Sequence, residues 1–315
     1  MKTLITGGAG FIGSHIVEAL VQKNHEVRIL DNFSTGKRGN ISHLENRIEI
    51  IEGDLADKKT VDKAIEGMEC VFHQAAQVSV IESMKNPAKT WDTNIKGTKL
   101  LLNAAVKYKV KKIIFASSAA VYGNEPGFPK REDMVVRPTS PYGNSKRIGE
   151  LLAEEYHRKY KLNAICLRYF NVYGPRQSPW SEYSGVISKF VSKMLKGERP
   201  VIYGDGKQTR DFVYVKDVVS ANLLAMEKPV GFGVYNIATG KETTLLELTQ
   251  TINEILGTEI EPVFEPERPG DIKRSVADIS KAIAELGYEP KYTLKIGLEE
   301  TIEWYKKEHT SGFDD

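Results

Sequence analysis

Short apolar runs alternate with amphipathic stretches along the first half of the chain. The runs occupy residues 3–6, 26–31, 48–54, 70–76, 111–118 and 162–170, and helical patterns, the first from about Phe11, fill most of the intervals. Strands separated in this way pair in parallel, because each helix carries the chain back to the edge of the sheet where the next strand starts. The pattern predicts an α/β fold with a Rossmann-like, doubly wound parallel sheet.

The pattern changes after residue 170. Loops lengthen, prolines and glycines cluster, and helices such as the one over residues 185–196 are separated by short strands. We therefore expect a first domain over residues 1–170 and a smaller C-terminal α/β domain mainly over residues 171–308. Segments near residues 211–237 are expected to return to the first domain, and residues 309–315 are expected to form a frayed tail.

Composition narrows the possible partners. The 315 residues are 41% hydrophobic and 27% charged, which is typical of a globular protein. A net charge of +2 gives no reason to expect nucleic acid or an acidic membrane as a partner. No apolar run approaches the roughly 18–20 residues of a membrane helix. Cys70 and Cys166 each lie in an apolar run, so we interpret them as reduced core residues of a cytoplasmic protein and expect no metal site.

Three glycines, Gly7, Gly10 and Gly13, follow the first strand and open the first helix. Glycine there lets the backbone approach a pyrophosphate, to which the helix N-terminus presents N–H donors. Asp31 ends the second strand, where a carboxylate would hold the adenosine ribose hydroxyls and would repel the additional phosphate of NADP. An isolated aspartate could equally cap a loop, but together with the glycines it predicts NAD binding.

The glycine spacing G-x-x-G-x-x-G resembles that of the extended short-chain dehydrogenase/reductase family. Further matches follow in the family's order: GDL at residues 53–55, HQAAQ at 73–77, NIKGT at 94–98, SSAAVYG at 117–123, PYGNSK at 141–146 and RYFNVYGPRQ at 168–177. Residues 204–218 and 267–278 resemble the nucleotide-sugar-binding segments of UDP-sugar 4-epimerases. The resemblance covers about residues 1–308 and implies an NAD-binding domain followed by a nucleotide-sugar-binding domain.

This resemblance implies three groups of site residues. The catalytic set would be Ser118, Tyr142 and Lys146, with the lysine ammonium and the positive nicotinamide lowering the pKa of the phenol from its ordinary ~10. The cofactor-binding residues would be Gly7, Gly10, Phe11, Ile12, Gly13, Asp31, Asn32, Ser34, Gly36, Asp54, Leu55, Gln74, Ala75, Ala76, Gln77, Asn94, Tyr142 and Lys146. The substrate-binding residues would be Ser118, Tyr142, Asn171, Arg210, Arg268, Asp271 and Ser275.

The resemblance also implies a reaction. Tyr142 would take the proton of the sugar 4-hydroxyl while hydride leaves the adjacent carbon for NAD, and the 4-keto sugar would turn over before hydride returns to its other face. Related dehydratases and decarboxylases carry carboxylates just after the serine, where this chain has Ala119 and Ala120. Because alanine cannot move a proton, we expect an epimerase that acts on UDP-glucose and UDP-galactose. A UDP-glucuronate 4-epimerase, another NAD-dependent nucleotide-sugar oxidoreductase such as a keto-sugar reductase, and a non-catalytic NAD sensor remain alternatives.

Three smaller expectations come from the same resemblance. Related epimerases with tyrosine at the position of Ser275 exclude N-acetylated sugars, so serine predicts that these are accepted; alternatively, Ser275 merely begins a strand over residues 275–278. Residues 91–108 and 142–160 form long helical stretches with more apolar positions than one face needs. Related enzymes pair these helices in a twofold homodimer.

His73 is interpreted as a packed histidine.

Overall fold

The computed structural model describes residues 1–178, 185–267 and 272–310. The strands of this part are β1 (Lys2–Thr6), β2 (Glu26–Asp31), β3 (Ile48–Glu52), β4 (Cys70–His73), β5 (Lys112–Ser118), β6 (Asn163–Tyr169), β7 (Asn171–Tyr173), β8 (Val201–Tyr203), β9 (Thr209–Arg210), β10 (Phe212–Tyr214), β11 (Phe232–Ile237), β12 (Thr243–Thr244) and β13 (Val263–Glu265). Seven of them form one parallel sheet in the order β3-β2-β1-β4-β5-β6-β11. The predicted doubly wound α/β fold is confirmed.

Helices cover both faces of this sheet. The helices of the described part are α1 (Phe11–Gln22), α2 (Lys58–Ile65), α3 (Val80–Lys85), α4 (Pro87–Thr90), α5 (Gly97–Lys107), α6 (Pro141–Tyr160), α7 (Val186–Leu195), α8 (Val215–Glu227), α9 (Leu245–Leu256) and α10 (Leu294–Thr310). Between α4 and α5 lies a π-helical segment, Trp91–Lys96. One hydrophobic cluster joins α1 and α8 to the sheet, and a second joins α2 and α5 to it.

The late segments pack on the first half of the chain as well as on each other. Strand β11 pairs with β6 at the edge of the sheet, and α8 lies against α1. A third hydrophobic cluster joins α7, α9 and α10 beside the small strands. The division at residue 170 stays a prediction. Helix α10 is described to Thr310, and residues 311–315 lie outside the described part, so the tail over residues 309–315 also stays a prediction.

A buried lysine on β5 fixes the C-terminal end of α8 to the sheet. Lys112 is 8% exposed, and its Nζ donates hydrogen bonds to the carbonyl oxygens of Ala225 at 3.0 Å, Met226 at 3.1 Å and Lys228. The last carbonyls of a helix lack intrahelical partners, and a cation satisfies them and interacts favourably with the helix dipole. This contact holds the helix that covers β5 and β6.

Candidate active site

The predicted site residues converge at the carboxyl edge of the parallel sheet. Gly7 follows β1, Gln74 follows β4 and Ser118 ends β5. Asn171 is the first residue of β7 and is separated from the end of β6 by one residue. Strand order reverses between β1 and β4, because the chain winds outward from this pair in both directions. In open α/β sheets a ligand binds at the crevice above such a reversal.

The glycine loop leaves no room for side chains. Gly7 has a φ of +71°, and a Cβ there would lie 2.8 Å from the backbone nitrogen of Ala75. A Cβ at Gly13 would lie 2.0 Å from the carbonyl oxygen of Gly7. Gly10 is the N-cap residue of α1 and has no side chain, so it offers no side-chain acceptor to the first backbone N–H groups of the helix, which begins at Phe11. Such a loop fits the diphosphate of a dinucleotide, and Ile12 lies in the same first turn.

Asp31 is fixed by two backbone amides. Its Oδ2 accepts from the N–H of Ala9 at 2.9 Å and its Oδ1 accepts from the N–H of Phe33 at 2.9 Å. A Cβ at Gly36 would lie 3.1 Å from Asp31 Oδ1, so the following loop passes close to the carboxylate. Each carboxylate oxygen can accept a further hydrogen bond, which fits a ribose diol.

The neighbouring predicted residues form a small polar group beside Asp31. Asn32 Nδ2 donates to Asp54 Oδ2 at 3.0 Å, and Ser34 Oγ donates to Asn32 Oδ1 at 2.7 Å. Leu55, the residue after Asp54, is 4% exposed and packs in the hydrophobic cluster of α2 and α5. The structure therefore brings Asn32, Ser34 and Asp54 together and buries Leu55 next to Asp54 in sequence.

The loop after β4 is tied to the end of β1. The N–H of Gln74 donates to the carbonyl of Thr6 at 3.1 Å, and the N–H of Ala75 donates to Thr6 Oγ1 at 3.2 Å. Ala76 and Gln77 continue the loop, and both are partly exposed. This loop therefore borders the crevice above the β1–β4 pair.

The three predicted catalytic residues come from β5 and α6. Ser118 ends β5, and its Oγ accepts from the N–H of Ala120 at 3.2 Å. Tyr142 lies in the first turn of α6 and Lys146 one turn later, with its Nζ 5.8 Å from the centroid of the tyrosine ring. Lys146 is 4% exposed, and its Nζ donates to the carbonyl of Ala116 at 2.7 Å.

Burial shifts both titrating groups toward their neutral forms. It lowers the pKa of Lys146 to about 8. It also raises the pKa of Tyr142, although a hydrogen bond with the Ser118 side chain acts in the opposite direction. The expected lowering of the phenol pKa is therefore absent in the protein by itself, because desolvation of the phenolate outweighs what Ser118 contributes.

His73 is a packed neutral histidine. Its Nδ1 lies 2.8 Å from Thr6 Oγ1 and its Nε2 lies 2.8 Å from Thr98 Oγ1. Thr98 Oγ1 donates to the carbonyl of Asn94 at 2.6 Å, so it accepts from the Nε2–H of the histidine. Burial lowers the pKa of His73 to about 3, which excludes an imidazolium at neutral pH.

Asp211, the residue after Arg210, has a buried side chain that the sequence analysis did not single out. Asp211 Oδ1 accepts from the N–H and Oγ1 of Thr239, at 2.8 and 2.7 Å, and Oδ2 accepts from the N–H of Gly240 at 3.0 Å. Asn171 donates both its N–H and its Nδ2–H to the Asp211 carbonyl. Arg210 Nη1 donates to the carbonyl of Thr209 at 2.9 Å. Arg268 and Asp271 lie outside the described residues.

The segment that contains Ser275 packs, through Ala277, near the turn that follows the active-site serine. The predicted strand over residues 275–278 is absent: Ala277 makes one isolated bridge with Lys130, and Val276 accepts a hydrogen bond from the Lys130 N–H at 2.8 Å. Ala277 packs in a hydrophobic cluster with Tyr122, four residues after Ser118. This segment is therefore positioned by the active-site loop, and Ser275 is partly exposed.

A buried ion pair beneath the site was also missed. Arg168 Nε and Nη2 donate to Glu150 Oε1 and Oε2 at 2.8 and 2.9 Å, and the two residues are 2% and 1% exposed. Ser117 Oγ donates to Glu150 Oε1 at 2.6 Å, and Arg168 Nη1 donates to the Tyr122 hydroxyl at 2.9 Å. The pair thus holds Ser117 and Tyr122, which lie before and after Ser118 in the chain. The glutamate could have been noticed in the sequence, because it lies eight residues beyond Tyr142 on the same predicted helix.

Comparison with known proteins identifies the family. Residues 3–238 match the model of the NAD dependent epimerase/dehydratase family. The chain belongs to this family. The match, together with full-length relatives that act on UDP-sugars, makes the protein an NAD-dependent enzyme of the UDP-sugar epimerase and decarboxylase group.

Relatives with different activities resemble this chain over nearly its whole length. A putative UDP-glucose 4-epimerase of Methanocaldococcus jannaschii is 45% identical over 96% of this chain and 98% of its own. The UDP-N-acetylglucosamine 4-epimerase of Methanobrevibacter ruminantium M1, solved with UDP-N-acetylmuramic acid, superposes with a TM-score of 0.94 at 41% identity, covering 98% of both chains. A UDP-N-acetyl-α-D-glucosaminuronate decarboxylase of Bacillus cytotoxicus is 37% identical over 97% of this chain and 98% of its own.

Within the described part of this enzyme, no helix combines the length and apolar character needed to cross a membrane. The same residues contain no group of three or more His, Cys, Asp or Glu side chains that could hold a metal ion.

Proposed function

We propose that the protein is a UDP-glucose 4-epimerase that interconverts UDP-glucose and UDP-galactose and also accepts the N-acetylated pair. The observation that carries this proposal is the Ser118, Tyr142 and Lys146 set next to a turn that begins with Ala119 and Ala120. Bound NAD supplies the reversible oxidation of the sugar carbon. The protein's own side chains must then move one proton and hold the sugar, and nothing more.

Each member of the set has a distinct task in this proposal. Tyr142 takes the proton of the sugar 4-hydroxyl, and Ser118 hydrogen-bonds that hydroxyl. Lys146 is buried, and below its pKa of about 8 it carries a positive charge. Because burial raises the pKa of the phenol, the phenolate forms only where positive charge stabilises it, and a cation in a desolvated site does this more strongly than one in water.

The alanines distinguish epimerisation from elimination or decarboxylation. A dehydratase needs a further acid or base to complete its reaction, and the methyl groups of Ala119 and Ala120 can transfer no proton. Retention of the complete catalytic set argues against a non-catalytic NAD sensor. Asp31 disfavours an NADP-dependent keto-sugar reductase, because its carboxylate, held in place by two backbone amides, would repel the additional phosphate of NADP.

Ser275 supports the acceptance of N-acetylated sugars. Its segment packs against the turn that follows Ser118, and a serine leaves more volume there than a tyrosine. This room is permissive, because a missing apolar group costs the smaller sugar only ~1–3 kcal/mol. Arg210, Arg268 and Asp271 are proposed as contacts to the nucleotide diphosphate and ribose.

The assembly we propose is a homodimer in the cytoplasm. Trp91, Leu151 and Tyr160 lie on the helical stretches expected to pair, and they are 51%, 46% and 45% exposed. A twofold partner would cover such side chains. The two thiols, Cys70 and Cys166, are free and buried, which suits a reducing compartment. Light scattering should give about twice the 35.3 kDa of one chain; a monomer mass at micromolar protein would exclude the dimer.

The test of the proposed function is product analysis with separate substrates. Purified protein is incubated with UDP-glucose, UDP-N-acetylglucosamine or UDP-glucuronate, and the nucleotide sugars are resolved by chromatography. We expect UDP-galactose and UDP-N-acetylgalactosamine to form without net consumption of added NAD. Conversion of UDP-glucuronate alone would make the protein a UDP-glucuronate 4-epimerase. Steady consumption of added NADH in a separate incubation with a UDP-4-keto sugar, which accepts the hydride, would make it a reductase.

A further inference from the structure

Two serine hydroxyls hold the backbone of Tyr142. The N–H of Tyr142 donates to Ser83 Oγ of α3 at 3.1 Å, and its carbonyl accepts from Ser145 Oγ at 2.7 Å. Ser83 and Ser145 are 0% and 1% exposed. The first-turn amides of a helix have no intrahelical acceptor, and Ser140 satisfies only the next one, that of Gly143, with its side chain. Ser83 thus completes the N-terminal cap of α6 from another helix.

Asn94 connects these serines to the cofactor loop. One hydrogen of its side-chain amide goes to Ser145 Oγ at 2.9 Å and the other to the carbonyl of Gln77 at 3.0 Å. Its Oδ1 accepts from the N–H of Gln77 at 2.7 Å. Both amide hydrogens are therefore used within the protein, and Asn94 acts on the cofactor site through Gln77.

Helix α3 completes a ring of hydrogen bonds that connects Gln77, Tyr142 and Asn94. Gln77 Nε2 donates to the carbonyl of Ser79 at 3.2 Å, and the same carbonyl accepts from the N–H of Ser83 at 3.0 Å. Hydrogen bonds therefore run from Gln77 through α3 to Tyr142, on through Ser145 to Asn94, and back to Gln77.

The attachment of α3 depends on this polar contact. Val80, Ile81 and Met84 are 44%, 48% and 61% exposed, whereas Ser83 is the one buried residue of the helix. A buried hydroxyl is unfavourable unless it is hydrogen-bonded, and Ser83 both donates, to the carbonyl of Val80 at 2.6 Å, and accepts. Apolar burial therefore contributes little to holding α3 against α6.

We propose that Ser83 is a positioning residue for proton transfer, because it fixes the backbone from which the Tyr142 phenol projects. This inference rests on the proposed function, in which that phenol moves the proton. A base displaced by even an ångström from its proton loses much of its effect. Without the Ser83 oxygen, the first turn of α6 keeps its helical hydrogen bonds and its link through Ser145 and Asn94, but its Tyr142 amide loses its hydrogen bond to α3.

The test compares Ser83→Ala with Ser188→Ala. Ser188 is a matched control: it is 0% exposed and its Oγ donates to the carbonyl three residues before it, that of Gly185, at 2.7 Å, but it lies on α7. We expect Ser83→Ala to lower kcat by about 10- to 100-fold with KM and bound NAD nearly unchanged, because the loss concerns the orientation of the reacting group. The pH at which kcat rises should move upward, since a displaced phenol is less influenced by Lys146. Ser188→Ala should change none of these.

Hydrogen exchange gives a readout that needs no substrate. The peptide containing residues 139–146 should exchange faster in Ser83→Ala and in Ser83→Cys, whose sulfur fills similar space but accepts hydrogen bonds weakly. It should exchange at the wild-type rate in Ser188→Ala. If the wild-type protein converts no UDP-sugar, the proposed function fails. The exchange rates still test whether Ser83 holds the backbone of Tyr142. Normal kcat and pH dependence in Ser83→Ala, or unchanged exchange, would overturn the proposal.

Discussion

Removing Arg168 should destabilise the protein by leaving a carboxylate buried without its main partner. In Arg168→Met, Glu150 loses the two hydrogen bonds at 2.8 and 2.9 Å but keeps those from Ser117 at 2.6 Å and from Arg147 at 3.1 Å. Breaking a buried ion pair in this way costs about 3–5 kcal/mol. Because Arg147 still supplies a partly exposed positive charge, we expect the lower end, about 3 kcal/mol. That is a large part of a typical unfolding free energy of about 5–15 kcal/mol.

Urea denaturation followed by circular dichroism measures this change. With an m-value of about 3 kcal/mol per molar, the midpoint of Arg168→Met should fall by about 1 M. The double variant Glu150→Leu with Arg168→Met removes the charge that is left behind, so it should recover much of the lost stability. A double variant no more stable than the single one would refute the reasoning.

The pH dependence provides a second check on the same pair. Burial pushes the pKa of Glu150 up, but the hydrogen bonds and charge of Arg168 outweigh it, and the pKa lies below its ordinary value. A carboxyl group with a lowered pKa contributes stability above its unfolded pKa of about 4.3, and this contribution is lost as the pH falls through the folded value. In Arg168→Met that contribution is missing. The stability deficit should therefore be largest near neutral pH and shrink as the pH falls below about 4.3 toward the lowered folded pKa, and a deficit independent of pH would contradict the assignment.

Four further substitutions test separate parts of the account. Tyr142→Phe should keep the fold and bound NAD but lose at least ~10²–10⁴-fold in turnover, and near-normal turnover would exclude it as the base. Lys146→Ala should raise the pH at which activity appears, because the phenolate loses its nearby cation. Ser275→Tyr should suppress turnover of the N-acetylated sugars and spare the plain hexoses; equal losses on both would count against the pocket. Lys112→Met should lower the unfolding free energy by about 1–3 kcal/mol in urea, because carbonyls at the end of α8 lose their donor, and no change would mean that water replaces it.

Elements with strong local patterns could be predicted from the sequence. Strand β2 has the predicted bounds, and the helix expected over residues 185–196 is Val186–Leu195. The glycine loop was also predictable, because the residues that form the tight turn and the helix start are consecutive in the sequence. Their periods and spacings report local backbone geometry directly.

Contacts between distant segments could not be predicted in this way. Ser83 and Tyr142 lie 59 residues apart, and Asn94 and Ser145 lie 51 apart. A serine that caps a neighbouring helix has the same local pattern as one facing solvent, because its partner depends on how the helices pack. The π-helical segment Trp91–Lys96 was likewise hidden, because its apolar positions fit an ordinary α-helix.

The pKa of Tyr142 was the least predictable property. Sequence adjacency suggested that Lys146 would lower it, but the structure directs Lys146 Nζ to the carbonyl of Ala116, and burial raises the pKa of the phenol. Burial depends on the whole fold and not on the spacing of two residues.

The central claim is that the sugar is inverted at its 4-position by removal and return of the same hydrogen. The most direct measurement uses UDP-galactose carrying deuterium at carbon 4 and follows its conversion to UDP-glucose by mass spectrometry and proton NMR in ordinary water. The account predicts that the product keeps the deuterium at carbon 4, with the opposite configuration, and that Tyr142→Phe forms it far more slowly. Product that carries solvent hydrogen at that carbon would contradict the account, because it would require inversion by exchange of a proton.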